Sequence, residues 1–261
     1  MIRLAAADMD NTLLPEGTFD LNPEYYDAVR ALKEKGILFV AASGRHYSSV
    51  RKLWEPLKDE IAFLGGNGSV VMYRDEILSA NEIAMDVYIE VLGAMRETEP
   101  EVIITDHPDC IFTDFPENDL IRWMKNGYRT DIIECDDLAA IGAPILKTAM
   151  HVPGDAQIYA ERMRERFEGR VNIMSAGDHW VDVVANGTDK GSSLGVIQKK
   201  FGISREETIA FGDNGNDIGM MKLAGRSYAV ANARDEVKAV ADEVIGQMKD
   251  DAVLKVLKSL L

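Results

Sequence analysis

Hydrophobic residues in this chain come in short unbroken runs that stop abruptly at a polar residue. Ile2 to Ala7 stops at Asp8, Ile37 to Ala42 at Ser43, and Thr208 to Phe211 at Gly212-Asp213. A strand with one wet face alternates apolar and polar residues, whereas a run that is apolar throughout has both faces buried. Amphipathic stretches separate the runs. Asn22 followed by Pro23 is a helix start, Ala28, Val29 and Leu32 recur at helical spacing, and Gly36 is the expected stop. Lys190 to Phe201 reads as a helix closed by Gly202, and Asp250 or Asp251 opens a last one. Ile61 to Leu64 and Tyr228 to Ala231 read as further strands, and Val70 to Leu78 as a hairpin turning at Arg74-Asp75-Glu76. Strands alternating with helices make an α/β fold, with a Rossmann-like, mainly parallel sheet covered by helices on both faces.

The pattern changes between about Asn81 and Asn186. A helix over Met85 to Met95 precedes two short strands, Val102 to Thr105 and Ile111 to Thr113. Leu146 to Val152 reads as a strand, Ala156 to Phe167 as a helix, and Val171 to Met174 with Trp180 to Val184 as a strand pair. Helices with antiparallel-looking pairs describe an α+β module inserted into the core. The expected division is a core of residues 1–81 and 187–261, with an insert of residues 82–186.

Charge narrows the function classes. Forty-four acids against 29 Lys and Arg leave a net charge of −15, which a nucleic-acid backbone or an anionic membrane repels. The longest uncharged stretch, Ile61 to Tyr73, has 13 residues and three glycines, short of the roughly 18 apolar residues of a spanning helix. The first acid at Asp8 comes too early for a signal peptide's apolar segment, so a cytoplasmic protein is expected. Cys110 and Cys135 show no C-x-x-C spacing, and His46, His107, His151 and His179 show no H-E-x-x-H spacing.

Four polar segments follow apolar runs or open helices, at the sheet edge where ligands of open parallel sheets bind. Asp8 and Asp10 flank Met9 on an extended chain, so their carboxylates project to one side and need a cation or a proton between them. Ser43-Gly44-Arg45 offers a hydroxyl and backbone N–H groups ahead of a helix, which suits phosphate oxygens. Thr188-Asp189-Lys190-Gly191 places a lysine before a glycine and is not a Walker A loop. Gly212-Asp213-Asn214-Gly215-Asn216-Asp217 fails calcium-loop spacing, yet its acids and amides suit a hard cation such as Mg²⁺. Taken singly, each has a plain alternative as an Asx turn, a serine cap, a solvated lysine or a turn cap.

Together and in this order, D-x-D-x-T, S-G-R, K-G and G-D-x-x-N-D resemble the four motifs of the haloacid dehalogenase superfamily of phosphohydrolases. The insert between the second and third motifs resembles the α/β cap of its Cof-type branch, and the Ile61 to Val71 stretch with its Asn67-Gly68 turn is also similar to that branch. The resemblance implies a Mg²⁺-dependent phosphatase acting on a small phosphorylated metabolite, a sugar phosphate in expectation. It makes Asp8 the nucleophile, Asp10 the acid and base, and Asp8, Asp213 and the main-chain carbonyl of Asp10 the metal ligands. Ser43, Gly44, Lys190 and Asn216 bind the phosphoryl group, while Asp217 orients Lys190 or a metal-bound water. Arg45 and His179 are candidate substrate contacts. One departure is Asn11, where the family usually has Gly, and Asn tolerates the positive φ such a turn needs. A phosphomutase of the same superfamily and a non-catalytic ligand-binding relative are the alternatives. Nothing in the sequence names the metabolite or the oligomeric state.

Overall fold

The computed structural model describes all 261 residues. In chain order they form β1 (Leu4–Asp8), α1 (Glu24–Glu34), β2 (Leu38–Ala42), α2 (Tyr47–Leu53), β3 (Ala62–Gly65), β4 (Val70–Tyr73) and β5 (Glu76–Ala80). Then come α3 (Met85–Arg96), β6 (Val102–Asp106), β7 (Ile111–Thr113), α4 (Asp119–Gly127), β8 (Ile132–Glu134), β9 (Lys147–His151), α5 (Ala156–Arg166), β10 (Val171–Ala176) and β11 (Trp180–Ala185). The chain ends with α6 (Lys190–Phe201), β12 (Thr208–Gly212), α7 (Ile218–Leu223), β13 (Arg226–Ala229), α8 (Asp235–Val240), β14 (Glu243–Val244) and α9 (Ala252–Ser259). No helix is long and apolar enough to cross a membrane.

The first sheet has eight strands in the order β14-β13-β12-β1-β2-β3-β4-β5. It is parallel from β14 to β3, and the hairpin β4–β5 continues it antiparallel through positive-φ residues Arg74 and Asp75. Every residue of β1 and β12 is buried, as runs without polar alternation require. Their register sets Ala7 beside both Phe211 and Ala41, so Asp8, Ser43 and Asp213 emerge together at one edge. Trp54 anchors that edge from below. Its ring packs at 5.1 Å from Phe39, and its indole N–H donates to Met9 Sδ at 3.3 Å. The apolar residue between the two acids is thereby pinned in the core.

The second sheet has six strands in the order β10-β11-β9-β6-β7-β8 and an apolar core of its own around Tyr88, Met95, Phe167 and Val181. Its pairs are antiparallel except β7–β8, which run parallel and are joined by α4. The sequence pattern indicates neither α4 nor β8. Ile121 and Met124 are the buried residues of α4, and β8 is three residues long, too little for a periodic signal. The strand expected over Tyr228 to Ala231 instead begins at Arg226, because its pairing with Ile209 starts there.

The helices that carry functional segments are fixed by close approach. Asp189 caps α6 by accepting from Ser192 N at 2.6 Å, and the helix ends at Gly202 in the left-handed region, φ 59°. Inside its first turn, a Cβ on Gly191 would sit 2.5 Å from the Gly219 carbonyl carbon. Gly191→Ala therefore forces α6 and α7 apart and should cost roughly 1–3 kcal/mol, the usual penalty of overpacking. Equilibrium urea unfolding of the variant beside the parent protein measures it, and an unchanged midpoint would show that the contact has slack.

Candidate active site

A cavity of about 110 Å³ lies between the C-terminal edge of the first sheet and the second sheet. Asp8, Asp10, Asp213 and Asn216 line it from below, and Tyr128, Lys147, Trp180 and Asp182 from above.

At its floor Lys190, with no exposed surface, donates to Asp8 Oδ1 at 2.5 Å and to Asp217 Oδ1 at 2.6 Å. Burial alone would depress the lysine, but Asp217 and Asp8 outweigh it and hold the ammonium charged. The other oxygen of Asp217 accepts from the backbone N–H of Asp213 and of Asn214 at 2.9 and 3.1 Å. Gly212 makes this possible, since a Cβ there would lie 2.5 Å from that of Asp217. Thr12 donates to Asp213 Oδ1 at 3.0 Å.

One lysine does not balance three acids. Oxygens of Asp8, Asp213 and Asp217 lie within 4.8 Å of one another, and all three residues are buried. Burial first, then the Asp217 charge, pushes Asp8 up to about 7, with Lys190 opposing. Burial, then Asp8 and Asp217, also pushes Asp213 well above the usual carboxylate range. Converging carboxylates held above their ordinary values are short of positive charge, and an all-oxygen donor set suits a hard divalent cation.

Asp10 belongs to a separate pair. Arg45 donates to its two oxygens, Nε to Oδ2 at 2.7 Å and Nη2 to Oδ1 at 2.5 Å, and Gly17 N reaches Oδ1 at 3.3 Å. The Arg45 guanidinium lies 4.5 Å from the ring of Tyr128 on the second sheet's side. Arg45 thus pairs with an acid, although its Nη1 is buried without a partner. Asn11 adopts φ 59°, the conformation expected of it in the family's glycine position.

Ser43 is fully buried, and its Oγ accepts from Arg45 N at 3.0 Å. Gly44 and Asn216 border the cavity. His179 does not: it is exposed and its Nδ1 lies 3.1 Å from the Gly154 carbonyl, while its neighbour Trp180 lines the wall. The strand alternates faces, and the turn before β11 leaves His179 outside it.

Sequence reasoning gives no role to Asn67, Lys147 or Asp182. Lys147 and Asp182 are single charges within buried strands, which is itself a signal, because an uncompensated charge there is costly. Asn67 stands in the Asn-Gly turn after Gly65-Gly66, and takes φ 58°.

Comparison with known proteins decides the family. The sequence pattern of the haloacid dehalogenase-like hydrolases matches residues 5–257. The chain belongs to that family. The 5-amino-6-(5-phospho-D-ribitylamino)uracil phosphatase YbjI of Escherichia coli is 27% identical over 262 residues, covering 100% of this chain and 96% of its own. The HMP-PP phosphatase of Serratia proteamaculans is 28% identical over 267 residues, again covering 100% and 96%. A crystal structure from Eubacterium rectale is 32% identical, covers 100% of this chain and 99% of its own, and superposes with a TM-score of 0.86. Among haloacid dehalogenase-like hydrolases this is a Cof-type chain, and family and relatives together make it a phosphatase.

The elevated Asp8 has a consequence for stability. A carboxyl whose folded value lies above its unfolded 3.8 stabilises at low pH, and that stability is lost as pH rises towards about 7. Asp8→Asn carries no such charge. Without divalent cations, its melting temperature should therefore rise relative to the parent between pH 5 and pH 8. A difference independent of pH would remove the charge crowding inferred for Asp8.

Proposed function

We propose that this chain is a Mg²⁺-dependent phosphatase that hydrolyses small phosphorylated metabolites through an aspartyl-phosphate intermediate. What chiefly supports this is the division of labour between two acids. Asp8 sits among buried acids beside Lys190, whereas Asp10, two residues on, is held apart by Arg45 at the same cavity. A ligand-binding protein has no use for that separation.

In this reading the Asp8 oxygen not engaged by Lys190 attacks phosphorus in line, and the phosphorus–ester oxygen bond breaks. Asp10 gives a proton to the leaving oxygen and later takes one from the water that attacks the aspartyl phosphate, releasing Asp8. The Arg45 clamp keeps the Asp10 carboxylate in place, and Oδ2 has the less crowded lone pair for the proton. Lys190, Ser43, the Gly44 backbone and Asn216 bind phosphoryl oxygens. Asp217 orients Lys190. Mg²⁺ held by Asp8, Asp213 and the main-chain carbonyl of Asp10 supplies neutralising charge for the transferring group.

Residues 82–186 act as a cap over this site, and their walls suggest the metabolite's character. Tyr128 and Trp180 present rings, and Lys147 and Asp182 present polar groups. That mixture suits a hydroxylated, sugar-like body with an apolar face. The free thiols Cys110 and Cys135 suit a reducing cytoplasm. The direct experiment is phosphate release by the purified protein with Mg²⁺ across a panel of phosphorylated metabolites.

Asp8→Asn should abolish turnover, a loss beyond the roughly 10²–10⁴-fold of a removed acid–base group. EDTA should inactivate the parent protein, with Mg²⁺ restoring it and Ca²⁺, which favours looser coordination, doing so poorly. Steady-state phosphate release measures each of these, and full activity after rigorous metal removal would sink the Mg²⁺ assignment.

Asp10→Asn should slow alkyl phosphates more than an activated aryl phosphate, whose leaving group needs little protonation. Equal losses for both, with transfer to the enzyme rate-limiting, would take the acid role from Asp10.

A further inference from the structure

Two bonded chains lead from buried charges of the second sheet into the phosphate-binding side of the core. In the first, Lys147 Nζ donates to the Gly44 carbonyl at 2.8 Å. Its acidic neighbours Asp106 and Asp182 stand off at 3.6 and 3.5 Å, so the short contact is to the core. In the second, Asn67 Nδ2 donates to Asp182 Oδ2 at 2.5 Å, and Asn67 Oδ1 accepts from Asn216 Nδ2 at 2.9 Å. Asn67 is fully buried where these segments meet, with its backbone N–H on the Ser43 carbonyl at 3.0 Å.

A carboxamide presents a donor at one end and an acceptor at the other, and which end faces which way is set by its partners. An ionised carboxylate only accepts. Asp182 therefore compels Asn67 to turn its NH₂ upward and its oxygen towards Asn216. That oxygen in turn compels Asn216 to turn its NH₂ towards Asn67, leaving the second N–H of the same nitrogen for another acceptor. Asn216 Oδ1 is left buried without a partner. Were the chain reversed, Asn216 would offer a phosphate the oxygen of its amide, which repels it.

We propose that Asp182 and Asn67 form a polarity relay, in which the carboxylate on the inserted domain fixes the amide orientation of Asn216 and so completes the phosphate site from above. Both are positioning residues, acting on phosphate through Asn216. Because Asp182 and Asn216 belong to different sheets' segments, phosphate binding and closure of residues 82–186 on the core favour each other, as linkage requires. The relay rests on the phosphatase reading above.

The test uses the full chain with Mg²⁺ and inorganic phosphate, measured as a competitive inhibitor of p-nitrophenyl phosphate hydrolysis. Asp182→Asn keeps the shape but can donate as well as accept, so it no longer dictates direction. Asp182→Leu removes the acceptor altogether. Each should weaken phosphate inhibition on the order of ten-fold, within the usual range of coupling between sites, while Mg²⁺ affinity without phosphate stays near that of the parent. Lys52→Ala breaks a different, exposed contact between the same two parts, Nζ to the Arg129 carbonyl at 2.8 Å, and should weaken phosphate inhibition far less than either Asp182 variant. Phosphate should also slow amide exchange at residues 81–84 and 186–189 in the parent and do so less in Asp182→Asn. Folded Asp182→Asn with parental phosphate inhibition overturns the relay, as does an equal loss in Lys52→Ala or a parallel loss of Mg²⁺ affinity. If Asp182→Leu does not fold, Asp182→Asn decides. A parent protein that releases no phosphate from any ester marks failure of the phosphatase reading instead.

Discussion

An ammonium group with no exposed surface lies between two aspartates at the floor of the cavity, and much of the core is organised to keep it there. Withdrawing Lys190, Asp8 and Asp217 from water is costly, and removing one partner of such a set typically costs more than the pair ever contributed, about 3–5 kcal/mol. The arrangement therefore demands accurate placement of three separate chain segments. The register of β1 against β12 supplies two of them. The third comes from α6, whose first turn is held by the Asp189 cap and by the close passage of Gly191 over Gly219. A buried ion network is weak evidence for stability, but here it aligns groups from the first, third and fourth motifs around one point.

A strongly acidic protein that handles phosphate has to concentrate its positive charge. Lys190, Arg45 and Lys147 are all buried, and each is flanked by carboxylates that keep it ionised. Burial opposes the charge on each, and neighbouring acids reverse that effect. Arg45 and Lys147 line the cavity and Lys190 lies beneath it against Asp8, while the chain as a whole stays acidic. Charge is supplied where it is useful rather than in bulk, in keeping with the net −15.

The inserted segment brings aromatic rings to the site as well as further charges. The core offers acids, a serine and backbone N–H groups, which handle phosphate in the proposed mechanism. Residues 82–186 offer Tyr128 and Trp180 rings together with Lys147 and Asp182. Tyr128 leans on the same Arg45 that clamps Asp10, so the ring from one part and the acid of the other share a single guanidinium. The geometry of the proposed proton donor is for that reason not independent of how the insert sits.

Much of the fold could be read from the chain alone, because its determinants are local. Apolar runs without alternation specify strands buried on both faces, and the helix read from Lys190 to Phe201 with its stop at Gly202 is α6 as the structure has it. The residues at the sheet edge follow from where the runs end. The short elements α4 and β8 escaped, since one turn's worth of apolar residues carries no period. His179 and Trp180 are adjacent in sequence, and only the turn before β11 decides that the tryptophan enters the wall and the histidine leaves it. The partners of Arg45, Lys147, Asp182 and Asn67 were likewise undetermined by sequence. Each pairs with a residue 35 to 115 positions away, Arg45 with Asp10 at the edge of the first sheet and the others across to the second sheet. The sequence alone therefore determined which chemical groups stand at the edge of the core sheet, because secondary structure and its boundaries are short-range. Only the tertiary structure decided which cation meets which acid and which way each amide points, because those choices are made by packing between segments far apart in the chain, both within the core and across the gap between the two sheets.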